Sequence, residues 1–107
     1  MKKNDFIFPV WKPRSQTIKK IHSDVFKVRY KTLRNASSAF VRKKEVREYI
    51  NNKYHGCCYL CGSTENLQID HKISVYRFAK DMLPYKGLNK EENLALICGK
   101  CNAMKEP

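Results

Sequence analysis

Four of the five cysteines form the pattern in this chain that most directly indicates chemistry. They make two units, Cys58-x-x-Cys61 and Cys98-x-x-Cys101. Two intervening residues let a pair of thiolates converge on one ion, and four thiolates complete the tetrahedral shell of a structural zinc site. We therefore predict a structural Zn²⁺ here, with redox-active or incidental cysteines as the alternative. Cys57 is left as a packed or free thiol, or as a replacement for Cys58.

A second group of residues has the composition of a hydrolytic site. Asp70 and His71 are adjacent, and Asn102 follows the last cysteine. A carboxylate and an amide oxygen can hold one hard divalent cation such as Mg²⁺ or Mn²⁺, while a nearby imidazole can take a proton from water for attack on phosphorus. Neighbouring side chains of a strand point to opposite faces, so Asp70 and His71 need a bend to act together.

Few elements are needed to position these side chains. Alternating apolar residues predict a strand over 67–71, and an apolar run predicts another over 93–97. A helix should follow over 98–105. The long connection between the strands should hold one short helix, over 75–82.

For the first half of the chain, the sequence predicts an arm followed by helices. The sequence of residues 1–14 predicts an extended arm. We expect Trp11 to attach this arm to the core, or alternatively to stack on a nucleic-acid base. Residues 15–35 fit a strand or a helix, and the helix is favoured, with Ser23 available as its cap.

Ser37 or Ser38 should cap a further helix that runs to residue 54. That helix is amphipathic and basic. Its apolar side is predicted to hold Val46, Tyr49, Ile50 and Tyr54. Its basic side is predicted to contact DNA through Arg42, Lys43, Lys44 and Arg47.

The positive charge is concentrated in that half. The net charge is +12, of which residues 1–56 carry +11 and residues 57–107 carry +1. Such asymmetry favours a nucleic-acid partner over a merely solvated basic face. No apolar run approaches the roughly 20 residues of a membrane span, and no secretory signal follows the basic start. We expect no membrane partner and a cytoplasmic location.

The ordered set of Cys58-x-x-Cys61, Asp70-His71, Asn93 and Cys98-x-x-Cys101-Asn102 resembles the HNH nucleases, which have the ββα-metal fold. The resemblance covers about residues 46–105. It implies that His71 is the general base and that Asp70 and Asn102 are ligands of the catalytic ion. It also implies that Asn93 tethers the catalytic loop without touching the metal. Lys105 falls where the family often has a basic residue near the phosphate.

This resemblance departs from the common family pattern at one ligand. Many members have His at the position of Asn102, and the Asn variant favours Mg²⁺ or Mn²⁺ over zinc in the catalytic site. The implied setting is a bacterial or phage-encoded protein of restriction, mobile-element or phage systems.

We therefore expect an α+β fold with two parts. Residues 1–45 would be a basic, mainly helical extension that contacts DNA, and residues 46–107 a ββα-metal core with the zinc site. The expected activity is metal-dependent hydrolysis of DNA by a monomer or homodimer, with Lys72 and Lys105 as further DNA contacts. The alternatives are a zinc-dependent DNA-binding module without catalysis and a structural zinc domain that binds protein.

Overall fold

The computed structural model describes residues 7–105 of the chain, and within them it is an α+β arrangement. Short 3₁₀ turns at Tyr85–Gly87 and Glu91–Asn93 precede the second strand. No helix in this range is long and apolar enough to cross a lipid bilayer. The elements in chain order are α1 (Ser15–Ile21), α2 (Phe26–Val41), α3 (Lys44–Lys53), β1 (Leu67–His71), α4 (Val75–Lys80), β2 (Leu94–Cys98) and α5 (Gly99–Met104).

The two strands form an antiparallel sheet whose register separates its two ends. Leu67 pairs with Cys98 at one end, and His71 pairs with Leu94 at the other. All of β2 is buried, as its unbroken apolar sequence requires, whereas β1 is only partly buried. The cysteine of β2 therefore lies at the end of the sheet away from His71.

The helices pack in two apolar clusters, the first against the sheet and the second among the helices themselves. Phe40, Val46 and Ile50 pack with Leu94 and Leu96 of β2. The second cluster joins α1 and α2 to α4 and the following segment, through Ile21, Leu33, Phe78, Ala79 and Leu88. Trp11 packs against both clusters, so it attaches the arm to the core, as predicted. Residues 1–6 of the predicted arm lie outside the described residues.

A buried arginine ties α2 to the end of α4. Arg29 donates from Nε to the main-chain oxygen of Ala79 at 2.9 Å and from Nη1 to that of Ser23 at 3.1 Å. The last carbonyls of a helix have no partner within the helix, and a cation near them is favourable. Arg29 therefore fixes α4, the helix that follows β1.

The predicted cap at Ser37 or Ser38 is wrong, because both residues lie inside α2. Leu33, Ser37 and Phe40 are spaced so that they share one buried face of a helix. Because this face is packed as far as Phe40, the helix continues past both serines. The break falls later, at Lys43, whose backbone is extended. Within α3, the Lys44 ammonium and the Glu48 carboxylate lie 3.9 Å apart.

Other boundaries differ by a few residues. Ser23 does not cap α2; Val25 holds that position, and the Ser23 hydroxyl accepts from its N–H. Asn93 belongs to a 3₁₀ turn because its N–H donates to the carbonyl of Lys90, so β2 begins one residue later than predicted. The helix predicted over 75–82 ends at Lys80, and Met82 follows with a positive φ of 50°. The last helix begins one residue later and ends one residue earlier than predicted.

Candidate metal centre and catalytic site

The four cysteines of the two Cys-x-x-Cys units converge on one point. The sulfur atoms of Cys58, Cys61, Cys98 and Cys101 all lie within 4.8 Å of one another. This donor set and its compactness fit a tetrahedral structural zinc ion. Cys57 lies outside the cluster, and its thiol donates to the main-chain oxygen of His55.

Main-chain hydrogen bonds close the first turn. The N–H of Cys58 donates to the carbonyl of Ser63 at 2.8 Å, and the N–H of Gly62 donates back to Cys58 at 2.9 Å. Gly62 has a φ of +79°, a left-handed conformation that favours glycine. The N–H of Tyr59 donates to Leu96, so this turn is also attached to β2.

The second turn is formed where β2 becomes α5. Cys98 caps the helix, and its sulfur accepts from the N–H of Cys101 at 3.4 Å. That hydrogen bond is the main cause that lowers the pKa of the Cys98 thiol. Because zinc binds the thiolate, this turn favours the form of Cys98 that zinc requires.

His71 ends β1 and is held by a residue that the sequence did not indicate. Its Nε2 lies 2.7 Å from Oδ1 of Asn89, a buried amide. Burial lowers the pKa of His71, as does the charge of Lys105, while the hydrogen bond to Asn89 and the charge of Asp70 oppose the shift. The lowered pKa favours the neutral imidazole, the form that a general base needs.

Asn93 joins the start of the connection between β1 and β2 to its later part. Its Oδ1 accepts from the N–H of Ile73 at 2.8 Å, and its Nδ2 donates to the carbonyls of Ile73 and Leu88 at 3.1 and 2.9 Å. Its main-chain oxygen accepts from the N–H of Lys72 at 2.7 Å. These bonds bend the chain directly after β1, and none of them involves Asp70.

Asp70 faces the end of α5, where Lys105 reaches it. The Lys105 ammonium donates to Oδ2 of Asp70 and to the main-chain oxygen of His71. Both charged side chains are partly buried. Lys105 is therefore an ion-pair partner of Asp70, whereas the sequence predicted a phosphate contact.

Asn102 lies on the same side of the sheet. Its Nδ2 donates to Oε1 of Gln68 at 3.0 Å, and Gln68 shares a face of β1 with Asp70, two residues on. With Nδ2 engaged in this way, Oδ1 of Asn102 stays available as a ligand. Asp70 and Asn102 thus lie on one face of the sheet. His71 ends β1, directly before the bend that follows the strand.

The family of this segment follows from comparison with known proteins. The family model described as HNH endonuclease matches residues 58–107. This part of the chain is an HNH domain. The antiparallel β1 and β2 followed by α5, with the four-cysteine cluster, are consistent with the ββα-metal fold of that family. No curated protein and no solved structure matches the chain.

The HNH match over residues 58–107 suggests a nuclease or DNA-binding function, and the four-cysteine cluster suggests zinc binding. The predicted basic contacts lie on exposed surface beside this domain: Arg42, Lys43, Lys44, Arg47 and Lys72. Lys44 and Arg47 line a groove of about 410 Å³ between α3 and β1, with Gln68 on its other wall. Lys72 lies over the rings of Tyr54 and Tyr59.

Sequence reasoning missed two residues of the HNH site, Gln68 and Asn89. Gln68 could have been found, because a strand residue two positions before Asp70 must share its face. Asn89 lies in a connection of irregular structure, where no periodicity relates it to His71. Only the folded path of that connection brings the two side chains together.

Proposed function

We propose that this protein is a metal-dependent endonuclease that hydrolyses DNA phosphodiester bonds. The observation that carries the proposal is the imidazole of His71, which is hydrogen-bonded to Asn89 and adjacent in β1 to Asp70. A neutral histidine held in one orientation is suited to accept a proton from an attacking water. The HNH match over residues 58–107 supports the same assignment.

Asp70 and Asn102 are the side chains that we propose as ligands of a hard divalent ion. The Lys105 ammonium already contacts two oxygens at this position, so the site accepts a cation. Oxygen donors of this kind suit Mg²⁺ or Mn²⁺. When bound, such an ion supplies charge stabilisation for the phosphate and the leaving oxygen.

Asn93 supports the site without contacting the reacting atoms. Its bonds to Ile73 and Leu88 hold the bend after β1, and that bend lets Asp70 and His71 serve one site despite their alternation on the strand. The zinc cluster would hold the other end of the sheet, where Cys98 leads into the helix that carries Asn102.

The basic surface is the proposed grip on the DNA backbone. Exposed lysine and arginine side chains bind phosphates by charge and release counterions. The groove between α3 and β1 connects two of these side chains, Lys44 and Arg47, with the strand that carries Asp70. A duplex bound along α3 would therefore run beside β1, the strand that carries Asp70.

Cleavage of plasmid DNA with Mg²⁺ or Mn²⁺ tests the proposal. We expect His71→Ala to lower the cleavage rate by about 100- to 10,000-fold, the usual contribution of a general base. His22→Ala is the matched control, because His22 is exposed and remote in the sequence from the proposed site. Equal cleavage by His71→Ala and the parent protein would contradict the assignment of the base.

One observation favours a second function, zinc-dependent DNA binding without catalysis. The Lys105 ammonium neutralises Asp70, and a site permanently filled in this way would not take a divalent ion. Salt-sensitive DNA binding with no cleavage under Mg²⁺ or Mn²⁺ would support this alternative.

A further inference from the structure

Asn89 is a buried amide whose side chain makes a single hydrogen bond within residues 7–105. The residue is 2% exposed, and its Oδ1 lies 2.7 Å from Nε2 of His71. Its Nδ2 is buried and has no hydrogen-bond partner within residues 7–105. An unpaired buried donor destabilises the folded chain, and an apolar side chain of similar volume would avoid that cost. What Asn89 contributes is therefore the contact of its oxygen with His71.

This contact determines where the imidazole proton lies. A carbonyl oxygen only accepts, so the hydrogen bond requires a proton on Nε2 of His71. In the neutral ring Nδ1 then keeps its lone pair. The opposite tautomer would turn two lone pairs toward each other and lose the bond.

We propose that Asn89 is a positioning residue that holds His71 as its Nε2–H tautomer, so that Nδ1 is the atom that takes the proton from water. The inference rests on the proposed nuclease function, which assigns His71 as the base. Asn89 does not touch the reacting atoms; it acts through His71.

The backbone around Asn89 is held firmly enough for this role. Leu88 is fully buried, its N–H donates to Tyr85 at 3.0 Å, and its carbonyl accepts from Asn93 at 2.9 Å. Asn93 also binds Ile73, two residues after His71. One side chain thus links the segment of Asn89 to the bend beside His71, which fixes the distance between the two partners.

Nuclear magnetic resonance of the full, zinc-loaded chain tests the tautomer directly. Long-range ¹⁵N–¹H correlation distinguishes Nε2–H from Nδ1–H histidine, and His71→Gln identifies the signals among the three histidines. At about pH 8, where an ordinary imidazole is neutral, we expect the parent protein to show Nε2–H at His71. An Nδ1–H tautomer in the parent protein would overturn the proposal.

Two substitutions separate positioning from packing. Asn89→Leu keeps the approximate volume but removes the acceptor, so we expect mixed tautomers and cleavage lowered by about 10- to 100-fold. Asn89→Asp keeps an acceptor oxygen, so we expect the Nε2–H tautomer and most of the cleavage to remain. Asn52→Leu, an exposed change on α3, is the control for the substitution itself.

The two readouts have distinct outcomes. Loss of cleavage in Asn89→Leu with an unchanged tautomer would overturn the proposal, because the residue would then act through folding alone. If Asn89→Leu fails to fold, the tautomer of His71 in the parent protein and in Asn89→Asp still tests the proposal. A tautomer that changes as expected in a chain that cleaves no DNA would refute the nuclease function and support the control of His71 by Asn89.

Discussion

At the scale of single residues, Lys105 and Asp70 form the most informative pair in the site. The ammonium of Lys105 contacts both the Asp70 carboxylate and the main-chain oxygen of His71. These are two oxygens that a divalent ion would also seek. The ammonium and the ion therefore compete for Asp70, and this competition decides between the two functions considered above.

We expect Lys105→Met to tighten Mn²⁺ binding by about 2- to 10-fold, because the variant removes a partly buried ion pair worth about 0.5–1.4 kcal/mol. Electron paramagnetic resonance of Mn²⁺, titrated with zinc-loaded protein, measures the affinity without any reaction. Lys100→Met, an exposed change in α5, the helix that Lys105 directly follows, should leave the affinity unaltered. Weaker Mn²⁺ binding in Lys105→Met would contradict the competition.

At the scale of elements, the connection between β1 and β2 is organised by one side chain. Asn93 is 7% exposed and makes three side-chain hydrogen bonds to main-chain groups of Ile73 and Leu88. These bonds join the start of the connection to its end. The bend after His71 and the position of Asn89 thus depend on the same amide.

We expect Asn93→Ala to lower the free energy of unfolding by about 2–4 kcal/mol, because it leaves main-chain groups of Ile73 and Leu88 unpaired. Tm should fall by at least about 8 °C. Thermal unfolding followed by circular dichroism, with exposed Asn35→Ala in α2 as the control, measures this shift. A stability equal to that of the control would show that the connection is held by packing alone.

At the scale of the whole molecule, the cysteine cluster holds together two segments that are far apart in the chain. Cys58 and Cys61 lie in the turn after α3, Cys98 ends β2, and Cys101 lies in α5. A small domain with a two-stranded sheet gains much of its stability from such a staple. The zinc end of the sheet and the His71 end are opposite, so the staple supports the site through β1, β2 and α5.

We expect one zinc ion per chain, and we expect a chelator to lower Tm until zinc is restored. Bound zinc at 100 times its Kd contributes about 2.7 kcal/mol to folding. Cys61→Ser should lose the metal, whereas Cys57→Ser should retain it, since Cys57 lies outside the cluster. Elemental analysis with thermal unfolding measures both, and equal zinc loss in the two variants would contradict the assigned ligand set.

The sequence by itself determined the four-cysteine cluster, both strands and the helix after the second cysteine unit. These features depend on local spacing: two residues between thiolates, alternation over Leu67–His71 and the apolar run of β2. It also indicated Asp70, His71, Asn93 and Asn102 as a set.

Only the tertiary structure decided which atoms those side chains meet. The partner of His71 is Asn89, that of Asp70 is Lys105, and that of Asn102 is Gln68. In each pair the two residues are 18 or more positions apart in the chain. Their distance depends on sheet register and on the path of an irregular connection, and neither leaves a period in the sequence. The end of α2 escaped prediction for a similar reason, because burial of Ser37 in tertiary packing overrode its preference for a cap.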